Sequence, residues 1–424
     1  MSGPVGIDAL AAVADGQMSL HAHKCYFHGT HRTCTPEETL ARLQPLLPAM
    51  GITRIANVTG LDRTGIPVVM VSRPNARSVT VSQGKGLTLA AAKASGVMEA
   101  LEVWHAEHIV QPLKLASLDE MRGEHRIADA TRLPRVRDSR FTATLPLLWI
   151  EGLDLLGGGA AWAPFELVSA NYTLPLPPGS GCFQANTNGL ASGNHFLEAV
   201  SHGLCEVLER DATTLWKHHP PGSRGRCVLD QQSITDADCR GVLDRFLAAN
   251  LRVRIWDTTT DVGIASFVCL VTGSEGDDAD PEFGAGCHPV REIALLRALT
   301  EAGQARNTYI TGARDDFHAR LYSPAFRAQR RAHCLLLLEA EEPLRDFAHV
   351  PSFASPSFDG DLRRIFARLR AVGIEQVIAV DLTREAVGVP VVRVIVPGLE
   401  GAMEEGKGLY SPGLRARRHL QQAT

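Results

Sequence analysis

A unit of one helix followed by two strands recurs three times along this chain, and it constrains the fold more than any other feature. The copies span residues 37–73, 240–272 and 360–397. In each copy, apolar residues at helical spacing precede two β-branched runs, and Asp, Thr or Gly residues separate the runs. This order is typical of a helix and a hairpin. We therefore predict an α+β fold with one compound core of repeated helix and hairpin units and mixed sheets, rather than separate modules.

Composition and charge exclude several classes of protein. The 424 residues carry a net charge of -4, with 45% hydrophobic and 21% charged residues. A chain without clustered basic residues is poorly suited to coat nucleic acid. The first residues show neither a signal peptide nor a membrane-spanning run, so we predict a cytoplasmic protein with no membrane partner. The nine cysteines form no C-x-x-C pair, which gives no zinc site.

Polar residues follow one face of three further helix candidates, which span residues 88–108, 194–217 and 291–310. The residues that share a face are Ser95, Glu99 and Glu102 on the first helix, Asn194, Glu198, Glu206 and Glu209 on the second, and Glu301 and Gln304 on the third. Their spacing of three or four residues aligns them on each helix. The alternative is that these are solvated acid pairs at the surface. Because their flanks are apolar, we favour a buried cluster, and gathered carboxylates require cations.

Magnesium with a polyphosphate is the ligand that suits such a cluster. Hard divalent cations take carboxylate and phosphate oxygens, while guanidinium groups such as Arg210 and Arg306 bind phosphate. Lys85 lies between two glycines in SQGKG, which is either a phosphate contact or an ordinary glycine turn, and it is not a Walker A loop. Asn194 is either a nucleotide contact or the cap of the second helix. Arg73 either reaches the phosphates or is a surface residue.

Three segments of the chain resemble the ATP-binding stretches of the YcaO family. They are SQGKGLTLAAAKASGVMEALEVWHAE, NTNGLASGNHFLEAVSHGLCEVLERDA and GCHPVREIALLRALTEAGQARNTYITGARDD. The patterns S-x-x-x-E-x-x-E, N-x-x-x-E, E-x-x-E-R and E-x-x-Q-x-R occur in this order. The resemblance implies a YcaO domain over residues 29–400, whose sheets surround a central ATP cleft, with an extension at 1–28 and a tail at 401–424.

The resemblance also implies the cofactors, the site and the reaction. The cofactors are ATP and Mg²⁺, and members phosphorylate a backbone amide oxygen after a nucleophile adds to the carbonyl carbon. The metal ligands implied are Glu99, Glu102, Glu198, Glu206, Glu209 and Glu301. The nucleotide contacts implied are Ser95, Asn194, Arg210, Gln304 and Arg306, to which Lys85 and Arg73 are added as candidates. No catalytic side chain is expected beyond this ATP and magnesium site.

The branch of the family is indicated by four shorter segments. GTHR, ITRIANVTGLDRTGIPV, SRPN and GARDD look most like members that work with a TfuA partner, several of which install backbone thioamides. Azoline-forming members often end in P-x-P-x-P, whereas this chain ends in RARRHLQQAT. We therefore expect thioamide formation on a peptide or protein, with a TfuA-like or sulfur-delivering partner and a homodimeric enzyme. An azoline cyclodehydratase, amidine formation and a non-catalytic nucleotide-binding scaffold stay open as alternatives.

Overall fold

A computed structural model describes residues 21–219, 227–274, 277, 279–339, 344–403 and 410–422. The chain forms two compact units, each assembled from separate stretches. We call them the two-sheet unit, Tyr26–Ala100 with His219–Ala354, and the six-strand unit, Met1–Cys25 with Leu101–His218 and Ser355–Thr424. Residues 1–20 of the expected extension lie outside the described residues, as do 404–409, 423 and 424 of the expected tail. The domain division made from the sequence stays a prediction.

The helices and strands alternate irregularly along the chain. The helices are α1 Pro36–Leu43, α2 Leu89–Glu107, α3 Leu118–Glu124, α4 Phe196–His218, α5 Ala237–Ala248, α6 Arg291–Thr311, α7 Pro324–Glu339, α8 Phe358–Ala371 and α9 Leu414–Gln422. The strands are β1 Arg54–Asn57, β2 Val68–Ser72, β3 Val81–Lys85, β4 Leu113–Ala116, β5 Leu147–Asp154, β6 Ala160–Pro164, β7 Leu190–Ser192, β8 Leu251–Asp257, β9 Ser266–Gly273, β10 Glu282–Cys287, β11 Ile378–Asp381 and β12 Val391–Ile395. None of the described helices is long and apolar enough to span a membrane.

The α+β prediction is confirmed, but every pairing between the named strands is antiparallel, so the expectation of mixed sheets is wrong. The two-sheet unit contains the sheets β1-β2-β3 and β8-β9-β10. The six-strand unit contains one sheet of order β4-β5-β11-β12-β7, with β6 paired to β5. Antiparallel pairing allows short turns between sequential strands, which matches the hairpin chemistry of the sequence.

The three repeated units of the sequence are present as α1-β1-β2, α5-β8-β9 and α8-β11-β12. Each hairpin is extended by a third strand, namely β3, β10 or β7. Each of these third strands leads directly into one of the acid-bearing helices α2, α6 and α4. In the third repeat, β7 and α4 precede the hairpin in the chain instead of following it. In each of the three sheets, the third strand therefore places one acid-bearing helix next to a repeated unit.

Local signals explain where several helices begin. Thr35 and Glu38 form a reciprocal capping box at the start of α1, and Asp236 caps α5 by accepting the amide of Cys239. Such caps satisfy amides that have no partner inside the helix. The apolar faces of α5 and α6 then join the sheet β8-β9-β10 in a core that includes Phe246 and Phe267.

Two glycines permit helices to lie unusually close to the strands before them. A Cβ atom on Gly84 of β3 would overlap the backbone of α2 at Ala92. A Cβ atom on Gly284 of β10 would overlap the backbone of α6 at Ala298. Only glycine fits at such a crossing. The crossings hold the acid-bearing faces of α2 and α6 close to their strands.

Candidate functional site

The first group of predicted site residues lies in the two-sheet unit, and we call Gln83, Lys85, Glu99, Glu301 and Thr308 the Lys85 cluster. Lys85 Nζ lies 2.6 Å from Glu301 Oε2. The backbone amide of Gln83 donates to Glu99 Oε1 at 3.2 Å, and its side-chain oxygen accepts the hydroxyl of Thr308. Strand β3 thus contacts one acid on each of two helices. The backbone amide of Gln83 binds Glu99 of α2, and the side chain of Lys85 binds Glu301 of α6.

Lys85 is the last residue of β3 rather than part of a glycine turn. The interpretation of SQGKG as an ordinary turn is therefore wrong. The alternation of the strand explains the arrangement, because Gln83 and Lys85 are two residues apart and their side chains leave the same face. Both side chains reach α6, where they meet Thr308 and Glu301 respectively.

The second group lies in the six-strand unit, and we call Glu102, Ser192, Glu198, Glu206 and Arg210 the α4 cluster. Glu102 Oε1 accepts the backbone amide of Ser192 at 2.8 Å and its hydroxyl at 2.7 Å. Glu198 is buried. Glu206 Oε1 lies 3.9 Å from Arg210 Nη2, one helical turn away on α4. The next acid of the same stripe, Glu209, is also buried.

The start of α4 places a histidine next to Asn194. The helix begins at Phe196, and the amide of Leu197 donates to His195 Nδ1 at 3.1 Å. His195 therefore lies at the capping position, directly after Asn194. Burial lowers the pKa of His195, and the nearby carboxylates of Glu198 and Asp359 oppose this shift.

Two of the predicted phosphate-binding arginines have internal partners. Arg306 forms a buried bidentate pair with Asp62, with Nε–Oδ2 at 3.0 Å and Nη2–Oδ1 at 2.8 Å. Arg73 is buried, so the alternative of a surface residue is wrong. It donates to the carbonyl oxygens of Met50 at 3.2 Å and Ala100 at 3.3 Å. Ser95 is exposed on α2, and Gln304 is partly buried on α6.

The donor set fits magnesium in its chemistry. The predicted ligands are all carboxylates, the oxygen donors that this ion prefers. Within the part of the chain that the structure describes, no group of three His, Cys, Asp or Glu side chains could hold a metal ion. Magnesium usually keeps several waters and takes phosphate oxygens besides one or two carboxylates, so a three-ligand cage is not required.

Arg314 is a candidate site residue that the sequence reasoning missed. It donates to both carboxylate oxygens of Asp316, at 2.9 and 2.7 Å. This hydrogen bonding raises the pKa of Arg314, and the carboxylates of Asp316, Glu99 and Asp315 add to the shift. Asp315 also accepts the amide of Thr80, which directly precedes β3. The segment GARDD, which indicates the branch of the family, contains this arginine.

The C-terminal helix α9 is hydrogen-bonded to α4 one residue after Arg210 of the α4 cluster. Asp211 Oδ1 accepts the amide of Glu400 at 2.8 Å and Arg415 Nε at 3.1 Å. Glu400 in turn accepts the amides of Gly413 and Ala416 at 2.8 and 2.9 Å. Burial raises the pKa of Asp211 to about 6, against the lowering effect of Arg415. The polar tail is therefore tied to the helix that carries Glu206 and Glu209.

Comparisons with known proteins show which family this chain resembles. Residues 83–400 match the family model described as "YcaO cyclodehydratase, ATP-ad Mg2+-binding". A protein of Rhizobium leguminosarum bv. trifolii, described as an uncharacterized protein in the tfuA 3′ region, is 38% identical over 376 residues. That alignment covers 87% of this chain and 88% of the relative. This relative agrees with the resemblance to the TfuA-associated branch.

Two solved structures share the fold. A heterocyclase in complex with substrate and cofactor is 25% identical, with a TM-score of 0.73 over 92% of this chain. The match covers 55% of the heterocyclase, so this chain spans about half of that protein. YcaO from Methanopyrus kandleri, bound with AMPPCP and Mg²⁺, is 23% identical, with a TM-score of 0.71, and the match covers 91% of this chain and 99% of that one.

The family description names ATP and Mg²⁺, which confirms the cofactors expected from the sequence. The family model spans most of the chain and includes the last three residues of β3 together with α2, α4 and α6, the elements that carry both clusters. The chain belongs to the YcaO family.

Proposed function

We propose that this protein uses ATP and Mg²⁺ to phosphorylate a backbone amide oxygen of a peptide or protein, and that it thereby installs a thioamide together with a TfuA-type partner. The Lys85 cluster is the observation that carries this proposal. Its lysine and carboxylates lie where β3 meets α2 and α6, in a chain whose family description names ATP and magnesium. A fixed ammonium beside carboxylates suits a metal-bound polyphosphate.

We assign the roles of individual residues as follows. The proposed metal ligands are Glu99, Glu102, Glu198, Glu206, Glu209 and Glu301. The proposed nucleotide contacts are Ser95, Asn194, Arg210, Gln304, Lys85, Arg306 and Arg73. Bound magnesium would offset the negative charge of the phosphates. Arg306 already pairs with Asp62, and Arg73 already donates to backbone carbonyls. We therefore expect these two arginines to act mainly by orienting the elements around the nucleotide.

The proposed reaction needs no nucleophile from the enzyme. A sulfur nucleophile adds to the amide carbon, and the carbonyl oxygen takes the γ-phosphoryl group as ADP leaves. The carbon–oxygen bond then breaks, phosphate departs with that oxygen, and loss of the sulfur-bound proton leaves the thioamide. An amide oxygen is a poor leaving group and phosphate is a good one. Cationic side chains such as Lys85 stabilise the charge on the transferred group.

Thioamide formation is supported by the relative described as lying in the tfuA 3′ region. An azoline cyclodehydratase is a second candidate, because the matching family model is described as a cyclodehydratase. In that reaction the nucleophile is a Cys, Ser or Thr side chain of the substrate. For either reaction we propose a homodimer in the cytoplasm that acts on a precursor peptide or on a protein.

The mass of the product separates the two reactions. The purified protein is incubated with ATP, Mg²⁺, a candidate precursor peptide, a sulfide source and a TfuA-type protein. We expect ATP hydrolysis that depends on the peptide, and a product whose mass rises because sulfur replaces oxygen. A product lighter by one water would identify the cyclodehydratase instead. ATP hydrolysis that is absent, or unaffected by any peptide, would contradict both.

A further inference from the structure

A small cavity of about 30 Å³ lies in the six-strand unit beside β12, and we call it the Arg393 cavity. Its wall includes Arg393 of β12, Val207 of α4, and Gln184, Asn186 and Asn188 from the segment before β7. A water-sized group takes about 10–15 Å³ of such a volume, so the cavity has room for about two or three heavy atoms. None of the described residues that line it was assigned above to ATP or magnesium. The proposed function therefore leaves this polar lining without a role.

Arg393 is buried in this cavity with two of its donor nitrogens unused. Its residue is 2% exposed. Nη2 donates to the backbone oxygen of Asn186 at 2.7 Å, whereas Nε and Nη1 have no hydrogen-bond partner in the part of the chain that the structure describes. No other described arginine has two buried nitrogens of this kind. Because unmade hydrogen bonds of a buried charge oppose folding, stability alone does not explain this side chain.

The carboxylate that lines the same cavity does not take up the free donors of Arg393. This carboxylate is Glu400, whose Oε1 accepts the amide of Ala416 at 2.9 Å. Its Oε2 accepts the amide of Gly413 at 2.8 Å and the hydroxyl of Tyr410 at 2.6 Å. Burial lowers the pKa of Arg393 to about 10, so the guanidinium stays charged at neutral pH. The acid is thus supplied with donors, while the arginine still lacks acceptors.

The cavity also contains acceptors without donors. Gln184 Nε2 donates to the carbonyl oxygen of Ala402 at 3.2 Å, which fixes the orientation of the amide group. Gln184 Oε1 and Asn188 Oδ1 are buried and have no hydrogen-bond partner among the described residues. A matching ligand therefore accepts from Arg393 and donates to an amide oxygen. Water can do both but brings no charge, whereas a small anion that carries a hydrogen also offsets the charge of the guanidinium.

We propose that the Arg393 cavity binds a small anion that carries a hydrogen, and that this anion is hydrosulfide. Hydrosulfide has one heavy atom, one negative charge and one S–H donor, so it fits the volume, the guanidinium and the amide oxygens together. Hydrogen phosphate has the same bonding groups, but its five heavy atoms exceed the room in the cavity. The inference deepens the proposed function and rests on it, because that reaction consumes a sulfur nucleophile.

The position of the cavity suits this role. Its wall includes Val207, which directly follows Glu206 of the α4 cluster. The carboxylate of Glu206 also raises the pKa of Arg393, against the larger effect of burial. The cavity therefore lies beside the proposed magnesium ligands of α4 without sharing a lining residue with them.

The test measures binding of sodium hydrosulfide to the full chain by isothermal titration calorimetry, without oxygen, ATP or peptide. We expect saturable binding. Chloride has the charge but no hydrogen to donate to the amide oxygens, so it should bind about fivefold more weakly. Sodium phosphate is the third titrant. Phosphate binding that is tighter than that of hydrosulfide and is lost in Arg393→Met would assign the cavity to the phosphate product and overturn the inference.

Arg393→Met removes the charge and keeps most of the side-chain volume. We expect it to abolish hydrosulfide binding and to leave the urea midpoint unchanged or raised, because an unpaired buried charge is removed. An arginine with a purely structural role would lower the midpoint instead. Arg384→Met is the matched control and should bind hydrosulfide as the native protein does. Arg384 also has a buried Nε without a partner, but its guanidinium lies over the ring of Trp104 and it does not line the cavity.

Gln184→Glu keeps the test decisive if Arg393→Met does not fold. This variant has nearly the native shape and adds a carboxylate to the wall that contains Arg393. A built-in anion should offset the charge of the guanidinium and exclude a second anion. We therefore expect loss of hydrosulfide binding together with a raised urea midpoint.

Three results would overturn the inference on their own. They are the absence of hydrosulfide binding, binding that survives in Arg393→Met or Gln184→Glu, and binding that is lost in Arg384→Met as well. None of them concerns ATP hydrolysis, so the proposed function would stand with its sulfur arriving by another route. Conversely, a protein that binds hydrosulfide but never hydrolyses ATP in response to a peptide would contradict the proposed function alone.

Discussion

The Lys85 cluster and the α4 cluster both pair acids with a cation, but the pairs differ in how they are held. Lys85 and Glu301 come from β3 and α6 and lie 2.6 Å apart, with 22% and 31% of their side chains exposed. Arg210 and Glu206 lie one turn apart on the same helix at 3.9 Å, and Arg210 is 41% exposed. The first pair joins two elements, whereas the second is a local and weak pair.

This difference indicates how each cluster should respond to mutation. A pair that joins two elements contributes both to the position of those elements and to the charge of the site. A half-exposed pair within one helix contributes little to stability, since its charges are screened by water. Changes in the Lys85 cluster should therefore alter stability and activity together, while changes of Arg210 should alter activity alone.

The largest expected effect is the loss of ATP turnover when one acid of either cluster is removed. We expect Glu301→Gln and Glu206→Gln each to lower kcat for ATP hydrolysis at least about a hundredfold, as for the loss of a group that stabilises transition-state charge. Glu301→Gln should also lower the free energy of unfolding by about 1 kcal/mol, because Lys85 loses a charge-assisted hydrogen bond.

Kinetic assays and urea titrations of both variants measure these quantities. Native turnover in both variants would contradict the proposed metal ligands. If Glu301→Gln and Glu206→Gln lower the free energy of unfolding equally, the proposed difference in how the two clusters are held is wrong.

The next effect concerns how closely the helices approach their strands. Gly84→Ala would force a Cβ atom into the backbone of α2, and we expect it to destabilise the fold by about 3 kcal/mol. On α4, a Cβ atom at Gly203 would lie 2.8 Å from the carbonyl oxygen of Gly189, so Gly203→Ala should cost less, about 1 kcal/mol.

Gly241→Ala on α5 is the control, because nothing lies within 4 Å of its added Cβ atom. It should leave the fold unchanged or stabilise it by up to about 1 kcal/mol. Urea unfolding of the three variants tests this order. A Gly84→Ala protein as stable as the control would contradict the tight crossing of α2 and β3.

The smallest effect is expected for the cation of the α4 cluster. Arg210→Gln should lower ATP turnover about tenfold, the amount expected for one charge-assisted contact to phosphate, with a change in the free energy of unfolding below about 0.5 kcal/mol.

Arg240 supplies a matched control, since it pairs with Asp244 one turn away on α5 at 3.8 Å with a similar exposure of 38%. Arg240→Gln should leave turnover unchanged. If the two variants behave alike in ATP assays, Arg210 and Glu206 form an ordinary surface pair, and the proposed contact of Arg210 with the nucleotide is wrong.

Much of this architecture could be predicted from local patterns. The helices expected at 88–108, 194–217 and 291–310 are Leu89–Glu107, Phe196–His218 and Arg291–Thr311, because apolar periodicity and helix propensity agree over long segments. The hairpins of the three repeats were also predicted correctly. Arg73 and Arg306 show the limit of such patterns, since a lone arginine has the same local signature whether it faces a ligand, water or a buried carbonyl.

The amino-acid sequence by itself determined the α+β class, the repeated unit and which faces of three helices are acidic, because each of these depends on residues within one or two turns. Tertiary structure alone decided that β7 completes the third repeat from an earlier part of the chain, that Lys85 ends a strand and meets Glu301, and that Arg306 pairs with Asp62. These outcomes depend on partners far apart in the chain. Spacing along a helix or strand determines which residues share a face, but only packing determines what that face contacts.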